Sequence, residues 1–404
     1  MRPAGAAIED KTLEVQMSGD ERALGVAVIG MGWMGAVHAR AYTRLRQHYP
    51  DSARYPRLIA VADDVPGRAE AGAQQYGAGR AYSDWRDLLA DPEIEAVSVT
   101  VPNFLHAEIG TAVLEAGKHL WIEKPVGLTA ADAAAVNRAA AAAGKQTAVG
   151  FNYRNAPAVE RARELLAQGA IGDVTHARFR LFSDYAAHPD GALSWRYSRE
   201  RGGNGVLGDL ASHGVDLMRY LLGEIDALVA DTATFISERP SPTAATSGHQ
   251  LATGGELGPV ENEDYVGALV RMTSGARCVL ESSRVSVGEQ NSYGFEIHGT
   301  AGVIRWDYRR MGELELAAGD GYQDAPVSSV FVGPSAGEYG RFQPGSANPM
   351  GYDDLKVIEA QRFLASIEQD RPVGATIADA VAMAETLDAL VESANSGRWV
   401  RVGR

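Results

Sequence analysis

Apolar and polar positions along this chain follow two different rhythms. In roughly the first 150 residues, short apolar runs alternate with stretches of helical character. Leu24-Gly25-Val26-Ala27-Val28-Ile29-Gly30 is the first such run, and 58–63, 96–101, 119–123 and 146–150 repeat its form. Runs that are apolar on both faces belong to strands covered from both sides, as in parallel sheets. Helices are predicted through His38 and Leu45, over 68–76, 82–89 and 106–116, and over the alanine-rich 130–143. Strand and helix alternate with short connections, which specifies a doubly wound parallel α/β (Rossmann) domain over 23–150.

After Phe151 the rhythm changes. Helices are predicted over 158–168 and 209–222, with alternating strands over 174–182, 228–235, 265–273, 277–286, 293–298 and 302–308. Hairpin-length spacing between the later strands predicts an α+β domain over 151–404 with a large, mostly antiparallel open sheet. Residues 237–262 and 317–352, rich in small and polar types, read as long loops, the second with one strand inside. Helices over 353–367 and 377–393 follow. Residues 1–22 carry acids and no apolar stretch; they read as a flexible leader, neither signal peptide nor anchor.

Bulk properties narrow the partners. A chain of 404 residues exceeds the size at which one core stops growing, which also argues for two domains. The net charge of −14, from 52 acidic against 38 basic residues, argues against nucleic acid. No window reaches the roughly 18 apolar residues of a membrane helix. Cys278 is the only cysteine, so no intrachain disulfide can form, and a cytoplasmic setting is expected. It sits in a strand-like run, where a buried inert thiol is the expectation.

Gly30-Met31-Gly32-Trp33-Met34-Gly35 is a G-x-G-x-x-G run between a strand and a helix. The first glycine allows the tight turn, the second lets backbone approach a pyrophosphate, and the third lets helix pack on strand. The phosphates would then meet unpaired N–H groups at the helix start. Asp63 ends the second strand, where a carboxylate would accept bonds from the adenosine ribose and repel a 2′-phosphate. NAD is therefore expected over NADP. Residues 47–57 read as an insertion ahead of that strand. Asp64 is a neighbouring acid, and Arg68 could stack on adenine or offset the repulsion.

Glu123-Lys124-Pro125 follows the fourth strand, at the carboxyl edge where open α/β sheets bind ligands. An ammonium there can hold a reacting hydroxyl and favour its alkoxide, although a lone lysine after a strand is equally often a solvated one. Asp209 and His213 stand i, i+4 on one predicted helix. Imidazole can accept a hydroxyl proton near neutral pH. The plainer alternative is that Asp209 caps the helix and His213 pairs with it, with Asp216 orienting His213 or purely structural. No metal-ligand set is evident.

Together these pieces resemble the Gfo/Idh/MocA family of oxidoreductases. The resemblance rests on Gly30–Gly35, Val101-Pro102-Asn103-Phe104-Leu105-His106, Ala116-Gly117-Lys118-His119, Glu123-Lys124-Pro125, and Asp209 with His213. It implies Lys124, Asp209 and His213 as the catalytic group, with His213 as general base. It also implies a cofactor site with Thr100, Pro102, Asn103, His106, Glu123 and Asn152 beside Gly30, Gly32, Trp33, Met34, Gly35, Asp63 and Arg68. Phe151-Asn152-Tyr153-Arg154, Leu193-Ser194-Trp195-Arg196 and Phe295–Thr300 look like the levoglucosan dehydrogenase and inositol dehydrogenase-like members. From these, Trp195 and Arg196 carry over beside the cofactor, and Tyr153 and Arg154 beside the substrate.

The expected activity is hydride transfer to NAD from a ring hydroxyl of a sugar, anhydrosugar or cyclitol, in a homo-oligomer formed through the second sheet. Two rivals stay open. One is an NAD-dependent glycosidase that oxidises its substrate only transiently. The other is a silent sugar- or nucleotide-sensing regulator.

Overall fold

Six parallel strands form the first sheet: β1 (Ala23–Ile29), β2 (Tyr55–Ala62), β3 (Arg80–Tyr82), β4 (Ala96–Val99), β5 (His119–Ile122) and β6 (Thr147–Val149). They lie in the order β3-β2-β1-β4-β5-β6, the doubly wound arrangement whose direction reverses between β1 and β4. The structure is a computed structural model that describes residues 23–242, 250–252 and 254–403. The leader expected over 1–22, and positions 243–249 and 253 of the expected loop, lie outside the described residues. Among those described, no helix is long and apolar enough to cross a membrane.

The helices of this half are α1 (Trp33–His48), α2 (Arg68–Tyr76), α3 (Trp85–Leu89), α4 (Asn103–Glu115) and α5 (Ala130–Ala143). α1 leaves β1 so closely that a Cβ on Gly35 would sit 1.9 Å from the Gly30 carbonyl oxygen. Only glycine fits there. Two expectations change here. The helix read over 82–89 is an edge strand, β3, followed by the short α3, because Ala81 and Tyr82 pair with Val61 and Ala62. The insertion read over 47–57 is shortened at both ends, by α1 running to His48 and β2 starting at Tyr55, which leaves 49–54 as the connector.

The second half is built on α6 (Pro157–Ala167), β7 (Val174–Phe182), α7 (Arg199–Gly202), α8 (Ser212–Leu222), β8 (Ile225–Ala233), β9 (Glu238–Pro240) and β10 (Leu257–Pro259). It continues with β11 (Tyr265–Met272), β12 (Arg277–Ser283), β13 (Ser292–Gly299), β14 (Gly302–Asp307), β15 (Glu313–Ala318), β16 (Ser328–Phe331), α9 (Tyr352–Gln369), α10 (Ile377–Ser396) and β17 (Val400–Arg401). Nine strands make one sheet, β16-β15-β14-β13-β7-β12-β11-β8-β17, antiparallel except where β12 runs parallel to β7. One face buries Phe179, Leu181, Leu280, Phe295 and Ile297 under helices, while Arg178, Arg271 and Leu269 stay exposed.

Part of the loop expected over 237–262 is a paired ribbon, β9 with β10. β16 is the strand expected inside 317–352, while β15 and the two-residue β17 extend the sheet past the strands expected.

α9 returns to the first sheet. Its Val357, Ala360, Phe363 and Leu364 share a buried cluster with Leu24, Val26, Val28 and Trp121. Arg40 and Arg44 of α1 meet Asp353 and Asp354 at 2.6 Å each. The first sheet is thus covered on one side by a helix that arrives about 200 residues later in sequence.

Candidate functional site

A cleft of about 1440 Å³ runs from the carboxyl ends of the parallel strands to the second sheet. That exceeds the roughly 300–1,000 Å³ typical of small-ligand pockets and suits an extended ligand beside a second, smaller one. Its first wall is largely backbone. Gly30 has φ 91°, a turn open to glycine, and Thr100 Oγ1 fastens its carbonyl at 2.6 Å. A Cβ on Gly32 would meet nothing within 4 Å, so the loop presents bare backbone to the cleft. Asp63 Oδ2 accepts the Met31 N–H at 2.7 Å, and Oδ1 accepts Val65 N–H at 2.9 Å and Arg68 at 3.4 Å. Oδ2, with one bond made, keeps a lone pair for a ribose hydroxyl. This wall has room for a dinucleotide: Gly30, Gly32 and Asp63 line it, while Gly35 lies behind, packed under the Gly30 carbonyl.

Opposite stand side chains from distant segments. Lys124 leaves β5 through a cis Lys124–Pro125 peptide and donates to the Asp209 carbonyl at 2.6 Å, with the Asp209 carboxylate at 3.5 Å. Asp209 lies on a π-helical turn, Leu207–Ala211, that runs into α8. The continuous helix expected over 209–222 thus begins with a wider turn, of a kind frequent at functional sites. Tyr185 donates its hydroxyl to the other Asp209 carboxylate oxygen.

His213 sits one turn on, in a T-shaped contact with the Tyr153 ring, the two ring centres 4.6 Å apart. Burial, then the neighbouring Lys124 ammonium, hold its pKa well below the usual 6.5. The imidazole is therefore neutral at physiological pH. A neutral base, an ammonium and a carboxylate lining one cleft can take a proton from an alcohol and stabilise the oxygen left behind.

Behind Lys124 lies a sealed charge cluster. Lys356 of α9 has no exposed side-chain surface; it donates to Glu123 and, at 2.8 Å, to Glu359. His38 meets Glu123 at 2.9 Å, and Trp121 Nε1 donates to Glu359 at 2.8 Å. Burial would raise the Glu123 pKa, yet the Lys356 charge and the His38 bond hold it far below the carboxylate range. Burial pushes Glu359 up to about 7 and His38 down to about 4.

The other sequence-derived candidates divide. Trp33, Met34, Asp63, Arg68, Thr100, Pro102, Asn103, His106, Glu123, Tyr153, Trp195 and Arg196 line the cleft with the central trio. Several do so through structural bonds. His106 bridges Pro125 O and Val101 O, Asn103 donates to Gly202 O, and Trp33 stacks on Tyr352.

Asn152 and Arg154 do not reach the cleft. Both sit on a 3-10 turn, Asn152–Asn155, which sends Tyr153 to the cleft and turns its neighbours away. Asn152 is fully buried. Arg154 makes a two-pronged pair with Asp216 (2.8 and 2.5 Å) and reaches Asp379 at 3.1 Å. The expectation of Asn152 as a cofactor contact and Arg154 as a substrate contact is corrected accordingly. Asp216 serves that pair and does not orient His213.

Tyr185, Tyr293, Tyr308, Tyr352, Arg284 and Asn291 also line the cleft, and nothing in the sequence singled them out. Tyrosines at strand ends carry no spacing signature; only the fold brings them together.

Comparison with known proteins agrees with this geometry. Residues 24–151 match the family described as "Oxidoreductase family, NAD-binding Rossmann fold", and 159–305 match "GFO/IDH/MocA C-terminal domain". The chain is 37% identical over 383 residues to levoglucosan dehydrogenase of Pseudarthrobacter phenanthrenivorans, covering 94% of this chain and 98% of that one. It is 27% identical to inositol 2-dehydrogenase of Rhizobium meliloti, covering 93% and 98%. A solved structure titled levoglucosan dehydrogenase in complex with NADH and levoglucosan superposes with a TM-score of 0.89 at 36% identity, covering 95% of this chain and all of that one. This chain belongs to the GFO/IDH/MocA oxidoreductases, a family with an NAD-binding Rossmann fold.

Proposed function

We propose that this protein is an NAD-dependent dehydrogenase that oxidises a secondary ring hydroxyl of a sugar, anhydrosugar or cyclitol to the ketone. The carrying observation is the convergence of Lys124, Asp209 and His213 on the cleft that the Gly30–Gly35 loop and Asp63 also line. Bound NAD supplies the hydride acceptor. Lys124 donates to the reacting oxygen, a ring nitrogen of His213 takes the hydroxyl proton as hydride leaves the same carbon, and Asp209, braced by Tyr185, holds the oxygen or a neighbouring hydroxyl. Thr100, Pro102, Asn103, His106 and the Trp33–Tyr352 ring pair frame the cofactor, with Trp195 and Arg196 closing over it. The polar and aromatic wall supports a polyol ring, whose missing hydroxyls would leave buried groups unpaired.

The same reading assigns 23–150 to the nucleotide and 151–404 to substrate and assembly. Arg178, Arg180, Arg271 and Arg305 on the open sheet face, interspersed with Glu281, Glu296 and exposed Leu269, support a second copy covering it as a dimer or tetramer. The lone cysteine, buried and with its thiol pushed up to about 12 by burial, supports a reduced, cytoplasmic setting.

The test is a screen of levoglucosan, aldopyranoses and inositols with NAD and with NADP, following reduced nicotinamide, alongside light scattering for subunit number. Accumulating NADH with one of these classes supports the reading. A glycosidic product without NADH, or no turnover of any polyol, overturns it.

A further inference from the structure

The least expected feature of the molecule is the sealed cluster of Glu123, Lys356, Glu359 and His38 beneath the cleft floor. Burying an ammonium and two carboxylates is expensive, and a well-packed apolar core of the same volume would often be as stable. Glu123 alone of the three charged groups reaches the cleft wall, one residue from Lys124. A hydride acceptor serving a substrate held by Lys124 and His213 must lie alongside them, and hence alongside Glu123.

Counting charges, Glu123 and Lys356 cancel, and Glu359 is left over. Its Oε1 takes both available donors, Lys356 and Trp121, while its Oε2 is buried with no hydrogen-bond partner among the described residues. The cluster therefore carries either no net charge or one negative charge, depending on a single carboxyl group that never touches the cleft.

Resting on the NAD reading above, we infer that the Glu123–Lys356–Glu359 cluster is a buried charge store that selects the cofactor's oxidation state. With Glu359 ionised, it favours the cationic nicotinamide of NAD+ over the neutral ring of NADH. The cluster is screened from solvent, so its field reaches the ring with an effective dielectric far below that of water. The oxidised cofactor is thereby held for the forward reaction and the reduced one released.

Groups facing Glu359 are Lys356 and Tyr352 on its own helix, Trp121 on β5, Glu123 just after that strand, and His38 on α1. His38 is neutral there, so Glu359 alone changes the total near neutrality. Because burial raises its pKa to about 7, the preference for NAD+ should be present at pH 8.5 and fade as pH falls to 6. By reciprocity, NAD+ binding below pH 7 should release a proton.

The experiment measures dissociation constants for NAD+ and NADH by calorimetry on the full chain, without substrate, for the unaltered protein and for Glu359→Gln. At pH 8.5 the variant should lose about three- to tenfold in NAD+ affinity, with NADH affinity changed less than about twofold. The unaltered protein at pH 6 should approach the variant, and the variant's ratio should be flat with pH.

Equal loss for both cofactors would make the cluster merely structural and overturn the inference. So would no change in either. Should Glu359→Gln fail to fold, the pH series on the unaltered protein decides: a flat NAD+/NADH ratio rejects the charge store. Neither readout requires turnover, so failure of the sugar reading is seen separately in the substrate screen.

Discussion

The two walls of the cleft are made in opposite ways. The wall proposed for the nucleotide is centred on the backbone of one short segment, Gly30 to Met34, closed by a carboxylate from the next strand. The facing wall is side chains from several places: Lys124 after β5, Tyr153 on a 3-10 turn, Tyr185 after β7, Asp209 and His213 around a π-helical turn, and Tyr293 on β13. A wall of backbone accepts any ligand with the right phosphates. A wall of side chains discriminates, because each polar group left unpaired costs binding energy. On the function proposed above, generic cofactor recognition and particular substrate recognition would thus be separated in space.

This contrast can be broken by substitution. The largest effect is expected behind the side-chain wall, at Arg154→Met. It strands Asp216, 3% exposed and already pushed up to about 6 by burial, and should cost about 3–5 kcal/mol in denaturant unfolding with substrate KM unchanged. A raised KM at unaltered stability would return Arg154 to the substrate wall.

Next comes Lys124→Met, for which turnover should fall at least about 100-fold, roughly 2.7 kcal/mol, while NAD affinity persists. Unaltered turnover removes this lysine from the chemistry. Tyr185→Phe takes one donor from Asp209 and should lower kcat/KM about tenfold, near 1.4 kcal/mol, with little change in melting temperature.

The smallest effect is one of shape. Burial and Lys124 disfavour imidazolium at His213, so protonation, and with it loss of the base, sets in only well below pH 6.5. The acid limb of kcat/KM should lie there; a limb at 6.5 or above would mean another group titrates.

The difference between the walls also governs what the sequence made legible. Gly30, Gly32, Gly35 and Asp63 are readable because the turn, the close approach and the strand end each demand one residue type at a fixed spacing. The parallel strands are readable because burial on both faces leaves unbroken apolar runs. Asp209 and His213 are readable as a pair, but not the π-helical turn that widens the helix between them. Arg154 misled because its motif position is beside Tyr153, whereas a 3-10 turn sends adjacent side chains in different directions. Lys356 and Glu359 gave no signal: an i, i+3 ion pair ordinarily marks a solvated helix face. Only the return of α9 onto β5 makes it an interior pair. β3 was hidden by its three-residue length, and β9 with β10 by a composition typical of loops.

The late arrival of α9 has a consequence for synthesis. At about 5–20 residues per second, roughly 10–40 s separate the emergence of β6 from that of the helix that covers Leu24, Val26 and Trp121. During that interval the nascent sheet has α1 but not α9 on this flank, and the Glu123 carboxylate is without its ammonium. A ribosome-bound fragment ending near residue 150 should accordingly remain loose and chaperone-dependent, with the finished nucleotide cradle setting only after the tail has come home.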